Sequence, residues 1–170
     1  MPGPLQSDKE LAASLGRATG AWALLESMLT MLFAVIVKID LRIAVAIFDF
    51  FKSTPTQRDV LVRVAKLMPH VTDTHRAMLA DLMTDYQDLA KRRNEIAHNP
   101  YGWMDKEQTK AYVMLKVKGA PMPDGFPYTT RTISRDEIEE LTRDIDLFRM
   151  KLMILRDSIA PLPPLPEKPE

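Results

Sequence analysis

At 170 residues, with 46% hydrophobic and 27% charged, the chain has the length and composition of one soluble globular domain that can bury a real core. Its 23 basic and 23 acidic side chains cancel, so bulk charge does not point to nucleic acid, and any RNA contact must come from a local patch. The lack of cysteine excludes disulfides, Cys-type zinc sites and thiol nucleophiles, and His70, His75 and His98 have no metal-ligand spacing.

Residues 1–6 read as a frayed arm without the basic and apolar regions of a signal peptide. Ser7 caps the first helix, with Glu10 completing a capping box. Leu11, Leu15, Ala18, Trp22, Leu25, Leu29, Leu32 and Ile36 then keep helical spacing. Gly16 and Gly20, four apart, predict close helix approach. The most apolar run, Ser27 to Val37, lies between Glu26 and Lys38 and is too short to span a bilayer, so it reads as the centre of a buried helix. Glu26 lies one turn from Trp22. It is either a solvated edge or the buried partner of a cation further on, Arg93.

Asp40 caps a second helix through Phe51, with Ile43, Ile47, Phe50 and Phe51 as core candidates. Thr54 as N-cap, Pro55 at the first position and Gln57 in a capping box open a third helix, which stops at Pro69. Thr72 or Thr74 opens the fourth, with His75 in its first turn. Leu79, Leu82, Tyr86, Leu89 and Ile96 form its apolar stripe, and Arg93 occupies the stripe position between the last two. Asn99-Pro100 ends it. Residues 111–118 and 126–133 partly alternate and predict a long-looped β-hairpin, with Pro127 at an edge or strand start. Ser134 and Glu137 form another capping box. Ile138, Leu141, Ile145, Phe148, Leu152, Leu155 and Ile159 then define the last helix, whose balanced charges suit a solvated scaffold. Residues 161–170 are proline-rich and favour extended conformation. The prediction is a mainly α fold, a four- to five-helix up-and-down bundle with a small β-hairpin inserted before the last helix. One domain covers 7–160, between the arm and a flexible tail.

The chemistry concentrates at Arg93-Asn94-Glu95-Ile96-Ala97-His98. Metal-independent RNA cleavage needs a base for the 2′-hydroxyl, a cation for the crowded phosphate and an acid for the leaving 5′-oxygen. His98 can supply base or acid, Arg93 offers a fork matched to phosphate oxygens, and Asn94 can orient the ring or hold an oxygen. Lys91 and Arg92 can add local attraction, and Tyr101 and Trp103 can stack on bases or anchor the following loop. On a straight helix Arg93 and His98 point about 140° apart. They share a pocket only if the helix unwinds near Ala97 and His98, or if a second subunit completes the site.

Arg93-Asn94-x-x-x-His98, late in a long helix of a helical chain, resembles the R-x(4–6)-H signature of HEPN domains. The Trp22-x-x-x-Glu26 element is similar to a feature of bacterial HEPN-like families. The resemblance extends over the layout of residues 7–159. It implies a cytoplasmic, metal-independent and cofactor-free endoribonuclease of toxin–antitoxin or phage-defence type. RNA is the implied substrate, an antitoxin or other regulatory protein the implied partner, and a homodimer with facing motif ends the implied assembly. The alternative is a non-catalytic dimeric module that binds nucleotide, RNA or a partner protein.

Overall fold

The computed structural model describes residues 3–99, 101–103, 111–116 and 128–160. The chain is a mainly α-helical bundle with a small antiparallel sheet before the last helix. Its elements are α1 (Pro4–Ser7), α2 (Lys9–Val37), α3 (Leu41–Phe48), α4 (Thr54–Leu67), α5 (Asp73–Ala97), β1 (Tyr101–Trp103), β2 (Ala111–Lys116), β3 (Tyr128–Thr132) and α6 (Arg135–Ile159).

The expected arm is partly structured. Pro4 begins a helical turn, is itself buried, and α1 lies against β1. The N-cap of α2 is consequently Asp8, not Ser7: its Oδ1 accepts from the Glu10 and Leu11 amides at 3.0 and 2.9 Å. The apolar run lies, as the spacing from Leu11 to Ile36 predicts, within one long helix. Lys9–Val37 is continuous and, by length and composition, could cross a membrane. Leu25, Leu29, Leu32 and Ile36 are nevertheless fully enclosed, as in the core helix of a folded domain. Gly16 and Gly20 are exposed, and a β-carbon at either would meet nothing within 4 Å. The expected close helix approach at these glycines is therefore absent.

Asp40 caps α3 as expected, accepting from the Arg42 amide. The buried face is Ala44 and Phe48, whereas Ile43, Ile47 and Phe50 are exposed and Phe51 is half-buried. The helix Leu-Arg-Ile-Ala-Val-Ala-Ile-Phe is apolar nearly all round, so its periodicity does not select a face. The cap of α4 is Ser53, one residue before the expected Thr54. Its hydroxyl accepts from the Thr56 amide, and Gln57 instead takes a hydrogen bond of 2.6 Å from the Tyr86 hydroxyl. Thr72 caps α5, accepting from the His75 amide.

β1, β2 and β3 pair antiparallel in that order, with Trp103 opposite Ala111 and Lys116 opposite Tyr128. The expected hairpin is thus the second half of a three-stranded sheet. Residues 117–127, including Pro127, and the tail 161–170 lie outside the described residues. Ser134 caps α6 through the Glu137 amide.

The chain has two compact units, Met1–Leu24 with Asp88–Asp146 and Leu25–Gln87 with Leu147–Glu170. In the first, Leu11, Trp22, Leu89, Ile96, Ile138, Leu141 and Ile145 are buried, and the sheet and the motif belong to it. In the second, Leu29, Phe48, Leu61, Leu79, Tyr86 and Leu152 are buried. The Phe33–Phe48 and Tyr86–Phe148 ring pairs lie 5.4 and 6.1 Å apart. Arg76 closes α4 in this unit. It donates to the carbonyls of Ala65 and Met68 at 3.1 and 3.2 Å, satisfying groups that α4 leaves open at its end.

Candidate functional site

Arg93 follows Leu89 by one turn and stays on the inward side of α5. It is half-buried, and its guanidinium carbon lies 5.5 Å from the ring centroid of Trp22, itself 3% exposed. The indole face compensates part of the desolvated charge. The Arg93 Nε is buried with no hydrogen-bond partner among the described residues, while Nη1 reaches outward. There it donates to Asn94 Oδ1 at 3.1 Å and meets His98 Nε2.

Meeting His98 requires the backbone to depart from the straight helix, and it does. α5 ends at Ala97, His98 sits in a bend, and its amide still donates to Asn94 O at 3.3 Å. Asn99 supplies the ending: its side-chain amide donates to the carbonyls of Asn94 and Glu95 at 3.3 and 2.9 Å. Tyr101 adds a second tie, its hydroxyl donating to Ile96 O at 2.8 Å. Neither tie was legible from the six-residue motif, although an Asn before Pro100 marks the stop. The 140° separation is thus resolved within one chain. Because a guanidinium only donates, Nε2 is the acceptor in this contact, which leaves the ring proton on Nδ1.

The flanking cations are engaged. Lys91 Nζ lies 2.8 Å from Asp88, and Arg92 Nη1 lies 2.5 Å from Asp144. Arg131, from β3, meets Glu95 at 3.4 Å and Glu137 at 2.5 Å. Burial and the nearby Glu137 carboxylate push the Tyr101 phenol up to about 12, against a smaller opposing effect of Arg131. Tyr101 is half-buried and anchored by its hydroxyl. Trp103 is half-buried too, its Nε1 buried without a partner among the described residues. Glu26 is exposed, which is the solvated-edge position of its two expected placements; Arg93 meets Trp22, Asn94 and His98 instead. His75 is part of the α5 cap, donating its amide to Thr72, and His70 is half-buried.

What the structure brings together is therefore Arg93, Asn94 and His98 at an exposed helix end, seated on Trp22. Among the described residues no three His, Asp or Glu side chains converge as a metal-ion site. No protein-family model matches the chain, and neither does any curated protein or solved structure.

Proposed function

We propose that the chain is a HEPN-like, metal-independent endoribonuclease of toxin–antitoxin or phage-defence type, with Arg93, Asn94 and His98 as its catalytic groups. The reading rests on the meeting of Arg93 Nη1 with His98 Nε2 just beyond the end of α5. A scaffold helix has no use for a half-buried guanidinium turned out toward an exposed imidazole.

In this mechanism the scissile phosphate displaces His98 from the Arg93 fork. The freed Nε2 is a lone-pair acceptor and takes the proton of the 2′-hydroxyl. The 2′-oxygen attacks phosphorus, the bond to the 5′-oxygen breaks, and Arg93 holds the two non-bridging oxygens as charge builds on them. Asn94 retains the guanidinium in position through its Oδ1. The products are a 2′,3′-cyclic phosphate and a 5′-hydroxyl. The leaving oxygen needs a proton, and in a homodimer with facing motif ends the second His98 supplies it as an imidazolium, while the first His98 keeps the proton taken from the 2′-hydroxyl and the two exchange with solvent to reset. Expression tests the reading in a cell: the wild type should slow host growth and His98→Ala should relieve it. Equal, harmless expression of both would count against it.

A second reading has one observation in its favour. Lys91, Arg92 and Arg131 are each committed to carboxylates, so among the described residues the rim of the site has little spare positive charge. On that reading the same end of α5 is a non-catalytic platform for a nucleotide, RNA or partner protein.

A further inference from the structure

α3 turns an apolar face to solvent, and its charges say what that face fits. Each residue advances a helix by about 100°. Ala44 and Phe48, 0% and 2% exposed, mark the inward line. The line opposite runs through Ala46, a small residue that permits close approach of another backbone. Arg42 and Asp49 lie along one edge of this outer face, seven residues apart. Ile43 and Phe50, also seven apart, lie along the other. Asp49 has helical dihedrals and donates to Val45 O at 3.0 Å, and the Phe50 amide donates to Ile47 O, so the turn continues through these positions. Ile43 is 54% exposed and Phe50 82%.

We propose that this face pairs antiparallel with the same face of a second copy of the chain. A two-fold axis through Ala46 keeps each edge on its own side and reverses the order along it. Arg42 then meets Asp49 of the other copy, and Asp49 meets its Arg42, while Ile43 meets Phe50 in both directions. The shallow depression bounded by Ile43, Ala46 and Ile47 gives the incoming Phe50 ring a seat. Within the chain Arg42 pairs with Asp40 at 3.0 Å, but its side chain is 93% exposed, so exchanging that partner costs little. Opposite charges on either side of a central alanine, four residues before it and three after, make the face complementary to itself. This pairing does not depend on the reading of the Arg93 site.

The test uses charge variants of the full chain and measures mass by light scattering across a concentration series. Arg42→Asp and Asp49→Arg each place like charges together in a self-pair, so each variant alone should be smaller than the wild type. Mixed in equal amounts they restore both pairs, and the mixture should regain the wild-type mass. Unchanged helical circular dichroism establishes that both variants fold. A wild type of single-chain mass throughout, variants as large as the wild type, or a mixture no larger than its components would each overturn the proposal. In the first case the face is left for a different protein.

Discussion

The guanidinium of Arg93 lies 5.5 Å from the centroid of the buried Trp22 ring, so among the described residues an aromatic face and not a carboxylate compensates the charge on the apolar stripe of α5. Trp22→Ala is therefore expected to remove both core volume and the support of Arg93, lowering stability by about 3–5 kcal/mol in chemical denaturation. Glu26→Gln, at an exposed position, should stay within about 0.5 kcal/mol of the wild type. A loss of several kcal/mol on changing Glu26 would instead mark a broken buried ion pair.

Gly16 and Gly20 occupy the exposed side of α2 with open space where a β-carbon would go. Helix interior glycines carry an entropic cost, so Gly16→Ala and Gly20→Ala should each raise stability by about 0.5–1 kcal/mol. Thermal unfolding checks this directly, and a destabilisation by either change would restore the close-packing role that their four-residue spacing suggests.

Arg76 bonds two carbonyls at the end of α4 through Nε and Nη2, while Nη1 pairs with the exposed Asp73 at 2.7 Å. Arg76→Leu should cost about 1–3 kcal/mol, because bonds from a charged donor to half-buried carbonyls are lost. Asp73→Ala should change little through this pair, since an exposed ion pair contributes little. Denaturant midpoints of the two variants separate the contributions.

Tyr101 titrates at about 12 in the folded chain against an ordinary value of 10.0. Between those values the folded state keeps a proton that the unfolded state releases. The contribution is complete below pH 10 and is lost as pH rises toward 12. Phenolate absorbance should show a tyrosine ionising late, and Tyr101→Phe should remove that step and flatten the alkaline fall in stability. A titration unchanged by Tyr101→Phe would contradict the anchoring role of its hydroxyl.

The long helices were legible because their stripes are strict: Leu25, Leu29, Leu32 and Ile36 on α2 and Ile138, Leu141 and Ile145 on α6 are all enclosed as their spacing indicates. α3 was legible as a helix but not in its orientation, because apolar residues surround it and burial was decided by where Ala44 and Phe48 fit. Ser53 and Thr54 are both good caps, and sequence alone does not choose between neighbours. β1 is three residues with a central glycine, below the length at which alternation carries a signal. At the site, the motif picked out three residues that the fold brings together, and the angular argument identified what had to give. The means by which the helix ends, through Asn99 and the Tyr101 hydroxyl, depends on side-chain reach across a bend that spacing does not encode.

The most direct test of the proposed activity is incubation of the purified chain with a mixed RNA pool in excess EDTA, beside Arg93→Ala and His98→Ala. The account predicts cleavage that survives chelation, leaves 2′,3′-cyclic phosphate and 5′-hydroxyl ends, and falls by about 10²–10⁴-fold in the His98 variant, with a comparable loss for Arg93. RNA left intact by the wild type, or cut equally well by both variants, would contradict it.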